Sequence, residues 1–144
     1  MKASKILFKG AELAESGAWT RCNLQLIHDQ FETNCALGLI NRAWGNKKII
    51  YNSLKKMRYP GEDDLDFKGA MDAVKALAVQ LCSEQSNGKN RSILPGLLPV
   101  ILSGNARDQQ YNTAVYNWND AQRDRRVIAR KFRKVARMLE REGK

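Results

Sequence analysis

The last 25 residues constrain this chain more than any other stretch. From Asp120 to Lys144 there are ten Lys or Arg against four Asp or Glu, so the segment holds +6 of the chain's +10. On a helical wheel Arg123, Arg126, Arg130, Arg133, Lys134, Arg137 and Arg141 fall within an arc roughly 100° wide that contains no acid. The opposite arc carries Ala121, Ile128, Phe132, Val135, Ala136 and Leu139. Such a segment must be an amphipathic helix, predicted at about 120–142. Its apolar stripe demands a core, and its cationic stripe stays in water or meets an anion.

A chain of 144 residues can bury a core as one domain spanning 1–144. Its 43% apolar and 28% charged residues place it among folded rather than disordered chains. The pI near 9.8 favours anionic partners: nucleic acid, nucleotides, acidic proteins or anionic lipid. Three cysteines, Cys22, Cys35 and Cys82, form no close pair, which argues against a disulfide framework and for a cytoplasmic setting. Lys9, Glu12 and Glu15 interrupt any signal-peptide core. The longest apolar run, Ile93 to Leu102, has about half a membrane span's length and contains Pro95, Gly96 and Pro99. No membrane partner is expected.

Ser4 is placed to cap a first helix reaching Ser16, which Gly17 ends. Cys22, Leu24 and Leu26 alternate in Trp19–Ile27, read as extended loop or edge hairpin. Asn34 is placed to cap a helix with Ala36, Leu39, Ile40 and Ala43 on one face, closed by Gly45. Asn46 restarts a short helix through Ile49, Ile50, Leu54 and Met57, stopped by Pro60-Gly61. The acids Glu62, Asp63, Asp64 and Asp66 lead a helix with Phe67, Ala70, Met71, Val74, Leu77, Ala78 and Leu81 inward. Ser83–Ser92 reads as a polar linker, Ile93–Leu102 as irregular chain or one helical turn, and Ser103–Asn119 as a long polar connection. Asn119 with Gln122 has capping-box spacing for the last helix. The fold class is mostly α: a small single-domain helical bundle with that connection before its last helix.

Three segments carry a resemblance: Ala11-Glu12-Leu13-Ala14-Glu15-Ser16-Gly17-Ala18-Trp19, then Cys35-Ala36-Leu37-Gly38-Leu39-Ile40, then Tyr116-Asn117-Trp118-Asn119-Asp120 before a helix with Val127-Ile128. In this order the chain resembles a family of small bacterial and phage proteins of unknown function with Gly-x-Trp, Cys-Ala-Leu-Gly and Trp-Asn-Asp motifs. The resemblance implies a mostly helical single domain of bacterial or phage origin and no particular activity. Members usually follow Trp-Asn-Asp with Gly, Thr and acids, whereas this chain has Ala121-Gln122-Arg123-Asp124-Arg125-Arg126. The basic face is therefore particular to this chain. Structural readings also fit the motifs: Trp118 packs at the core and Gly38 lets two helices approach.

Little here points to catalysis. The one histidine, His28, could pair with Cys35 at a helix N-terminus, where the dipole lowers a thiol pKa. Cys35 equally opens an apolar pattern, as buried cysteines do. Cys22, His28 and Cys35 lack paired zinc-ligand spacing, and no phosphate-binding or dinucleotide glycine motif occurs. No cofactor or metal is expected, and the chain reads as a non-enzyme.

The cationic arc sets Arg126–Arg130, Arg130–Lys134, Arg133–Arg137 and Arg137–Arg141 at i, i+4. Like charges at that spacing destabilise an isolated helix by roughly 0.2–0.5 kcal/mol per pair. A bound polyanion reverses that sign; acids such as Glu62, Asp63, Asp64 and Asp66 within the fold could do the same. Three partners fit: nucleic acid (DNA or RNA) held through phosphates, with Tyr111, Tyr116 and Trp118 stacking on bases; an acidic host protein surface, as for a phage inhibitor; or a nucleotide-like small anion in a pocket including Asn119 and Asp120. Nucleic acid comes first, on Arg123, Arg126, Arg130, Arg133, Lys134, Arg137 and Arg141. The oligomeric state is left open.

Overall fold

Alternating burial along one face turns most of this chain into helices. The structure, a computed structural model, describes residues 1–20, 26–28, 31–33, 35–44, 50–52, 56–58 and 65–144. Six helices and two short hairpins appear among them, in the order α1 (Ala3–Leu13), β1 (Leu26–His28), β2 (Phe31–Thr33), α2 (Ala36–Ala43), β3 (Ile50–Asn52), β4 (Lys56–Arg58), α3 (Leu65–Ser86), α4 (Leu97–Leu102), α5 (Asp108–Ala121) and α6 (Arg125–Arg141). The fold is the mostly α bundle that the apolar periodicities require. No helix among the described residues is long and apolar enough to cross a membrane.

Helix α1 buries Ala3, Ile6, Leu7, Gly10 and Ala11, the i, i+3, i+4, i+7 spacing of one face. It continues through a wide turn at Ala14–Ala18, where Gly17 takes φ 95° and so ends the helix as its sequence position predicts. Ser4 is not its cap. Lys2 precedes the first turn, and the Ser4 hydroxyl instead donates to the Lys144 carbonyl at 2.8 Å. That bond joins the start of α1 to the end of α6 and sets the two helices antiparallel. Gly10 lets them close up: a Cβ there would lie 2.8 Å from Phe132 Cε2.

The long helix α3 is central, burying Ala70, Met71, Ala73, Val74, Leu77, Ala78, Leu81 and Cys82. It runs on to Ser86, through part of the expected linker, because Leu81 and Cys82 keep the buried stripe going. A six-residue helix, α4, stands where the proline-broken run allows one turn or so, and it buries only Ile101.

Two elements correct the sequence reading. Where a short helix through Ile50 and Met57 is expected, the described residues are strands: Ile50–Asn52 pairs antiparallel with Lys56–Arg58, Tyr51 opposite Met57. Adjacent Ile and Tyr favour a strand, and a brief apolar run does not distinguish the two periods. The polar connection before the last helix is itself helical over Asp108–Ala121, with Tyr111, Ala114, Val115 and Trp118 buried. Those four hold i, i+3, i+4, i+7 spacing amid Gln, Asn and Thr. Helix α6 accordingly starts at Arg125, after Gln122 turns the chain to an extended ψ of 153°. Ala121, expected inside, ends α5 and is exposed. At the end of Trp19–Ile27, expected as extended loop or edge hairpin, Leu26–His28 pairs with Phe31–Thr33 in the register Leu26–Thr33, Ile27–Glu32, His28–Phe31. Cys22, Leu24, Asn34, Gly45, Asn46, Ile49, Leu54, Pro60, Gly61, Glu62, Asp63 and Asp64 lie outside the described residues.

Candidate polyanion-binding face

Six residues dock α6 onto α1 and the core: Ile128, Ala129, Phe132, Val135, Ala136 and Leu139. Their arc fixes the opposite one outward. Along it run Arg126, Arg130, Lys134, Arg137 and Arg141, all exposed. At 1.5 Å per residue this crest is about 22 Å long. Asp124 starts the helix, its Oδ1 accepting from the Arg126 amide at 2.9 Å.

Within the predicted arc the cations separate into two groups. Arg126 folds back on Asp124, Nη2 to Oδ2 at 3.0 Å. Arg133 makes a two-pronged pair with Glu15, whose second bond, Nη2 to Oε2, is 2.9 Å. Lys134 donates to Glu84 at 2.9 Å, and Lys131 joins the same carboxylate. Arg123, Arg130, Arg137 and Arg141 make no ion pair among the described residues. Arg123 sits in the turn between α5 and α6, off the helix. Among the described residues, neutralisation of this face comes from Glu15, Glu84 and Asp124; the side chains of Glu62, Asp63, Asp64 and Asp66 lie outside the description.

The acids register these contacts. Burial alone would raise the Glu84 carboxyl, but bonds from Lys131, Gln80 and Lys134 outweigh it and hold it at about 2. The hydrogen bond from Arg133 keeps Glu15 below its ordinary value and raises the guanidinium in return. Side-chain and backbone bonds from Arg126 do the same to Asp124.

The aromatic candidates fare differently. Trp118 is 3% and Tyr111 7% exposed, so neither offers a face to a base. Each is consumed by the α5 stripe, and Lys75 lies over the Tyr111 ring at 5.8 Å. Tyr116, 39% exposed, points outward. Asn119 is not a cap for α6. Wholly buried, its Oδ1 accepts from the Trp19 indole at 2.7 Å and from the Ala36 amide at 2.9 Å, while its Nδ2 donates to Asp120 at 3.3 Å. Gln122 donates to the Trp118 carbonyl instead, at 3.0 Å.

Asn119 thereby gathers the three sequence motifs at one point. The Gly-x-Trp turn supplies Trp19, the Cys-Ala-Leu-Gly helix supplies the otherwise unsatisfied first amide of α2, and Trp-Asn-Asp supplies the shared acceptor. Set against protein-family models, curated proteins and solved structures, the chain matches none. The motif junction is thus read from its own geometry, as a polar joint that fixes α1, α2 and α5 together.

Beside that joint lies a feature that sequence reasoning missed. Gly17, Trp19, Arg123, Asp124, Arg125 and Arg126 line an open hollow of about 470 Å³. Arg125 is exposed, with its Nη1 3.5 Å from where a Gly17 Cβ would stand. Adjacent arginines at 123, 125 and 126 are the sequence's hint, but only the fold brings Trp19 to them. Cys35 is wholly buried and burial pushes its thiol up to about 11, so a thiolate nucleophile is disfavoured there. His28 lies on β1.

Proposed function

We propose that this protein is a non-enzymatic nucleic-acid-binding protein that grips phosphates along the α6 crest. One observation carries the reading. Arg126, Arg130, Lys134, Arg137 and Arg141 form an exposed row, and Arg130, Arg137 and Arg141 have no ion-pair partner among the described residues. A helix carries such a row at a cost in stability that an anion removes. Over about 22 Å the row faces several successive phosphates of one strand, spaced at about 3.4 Å of duplex axis. Arginine's planar fork suits them better than lysine's point charge.

The non-enzymatic part is supported by the buried, upshifted thiols of Cys35 and Cys82. Those free buried thiols also fit a reducing, cytoplasmic setting.

The test is fluorescence anisotropy with labelled DNA and RNA. With about four phosphate contacts, duplex affinity falls roughly a hundredfold between about 50 and about 200 mM salt. The triple variant Arg130→Gln, Arg137→Gln, Arg141→Gln keeps the wild-type circular dichroism and loses binding at the lower salt. A triple variant that binds as tightly as wild type sinks the reading. If wild type binds no nucleic acid even at low salt, the nucleic-acid reading falls.

A further inference from the structure

The hollow beside Trp19 has a character that the crest lacks. The crest is a row of point contacts on a convex helix, whereas the hollow sets Trp19, half-buried against the core, beside two uncommitted guanidinium groups. Asp124 is already engaged, by the Arg126 amide and the Arg126 side chain. That leaves Arg123 and Arg125 without a carboxylate among the described residues.

The walls are held in place. The Trp19 indole donates at 2.7 Å to Oδ1 of the buried Asn119, and the same oxygen accepts from the first amide of α2. Gly17, at φ 95°, turns the chain beside the Arg125 guanidinium. At about 470 Å³ the space falls within the range of small-ligand sites. Arg126 lines the hollow and also begins the crest, so the two surfaces are continuous.

A planar apolar wall beside two phosphate-binding forks matches a nucleotide: base on the ring, phosphate on the forks. A base inside a duplex offers no face to such a wall; an unpaired base does. We propose that the hollow seats one unpaired nucleotide of a single-stranded nucleic acid, its base against Trp19 and its phosphate between Arg123 and Arg125, with the adjoining strand along α6. This rests on the crest binding phosphates and adds to it a preference for single strands.

The experiment compares a labelled thymidine strand with a blunt duplex of equal phosphate count, at one salt concentration. Stacking of one base makes the single strand bind about tenfold tighter. The strand also quenches tryptophan emission, which the duplex does not. Arg123→Gln with Arg125→Gln, two exposed changes checked by circular dichroism, brings the single strand down to the duplex level and removes the quenching. Duplex binding in that variant moves by about threefold or less, since the crest is intact. Equal wild-type binding of both ligands, absence of quenching, or a preference that survives the double variant overturns the proposal and leaves the crest reading standing. If wild type binds neither ligand, both fall together.

Discussion

Lys131 and Arg137 lie on the same helix fewer than two turns apart, and the fold treats them in opposite ways. Lys131 is 18% exposed and shares the carboxylate of Glu84, itself 10% exposed, with Lys134. Arg137 is exposed with no ion pair among the described residues and has Arg133 and Arg141 one turn away on either side. The α3 edge of α6 is thus an electrostatic joint, and the crest is an electrostatic burden. A wheel that shows a broad arc of cations does not separate these roles. What separates them is whether a distant carboxylate reaches the position.

Removing the joint has the largest effect. Deleting one partner of a buried pair costs about 3–5 kcal/mol; with Lys134 half exposed and an amide still able to accept, Glu84→Gln is expected to cost about 2–3 kcal/mol. Urea denaturation measures it. Adding Lys131→Met to Glu84→Gln restores part of the loss, because the stranded ammonium goes with it. An unchanged urea midpoint in the single variant would mean that Glu84 is no joint and that the two edges of α6 are alike.

Acid tests the same joint more gently. Glu84 titrates at about 2 in the folded chain, below its ordinary 4.5. Its contribution is therefore complete above about pH 5 and fades as pH falls toward 2. Of it, about 2 kcal/mol is gone by pH 3. The stability gap between wild type and Glu84→Gln should narrow over that range; Glu15 and Asp124, also held low, titrate in both chains and cancel from the difference. A gap that stays constant from pH 7 to pH 3 would assign the loss to packing rather than charge.

Much of the fold was legible because burial repeats locally. Phe132, Val135, Ala136 and Leu139 announce the inner face of α6, Ala70 to Leu81 that of α3, and Gly17 the end of the first helical segment. Helix α5 was misread as a polar connection: Tyr111, Ala114, Val115 and Trp118 carry a helical stripe, but its polar remainder disguised it. The hairpin at Ile50–Arg58 was not, since a short apolar run has no period of its own. Of the site, the outward cations could be read directly. Their neutralisation could not: Glu15 lies 118 residues from Arg133, and Glu84 lies 47 from Lys131. Nor could the hollow, which exists because Asn119 reaches across 100 residues to hold Trp19 near the α5–α6 turn.

The smallest expected effect is the most pointed, because its sign is opposite. Arg137→Gln removes two like-charge contacts, with Arg133 and Arg141, and should stabilise the free protein by about 0.5 kcal/mol. For a chain of this length that is a rise in Tm of about 1–2 °C. A fall in Tm would reveal an attractive partner for Arg137 and erase the distinction between crest and joint. Saturating nucleic acid should reverse the ranking. A ligand that binds only the folded chain raises Tm by mass action, and it raises it more where more phosphate contacts are made. Wild type then melts above Arg137→Gln, although it melts below it alone. A burden in the free molecule that becomes a benefit in the complex is the thermodynamic signature of a residue kept for its partner.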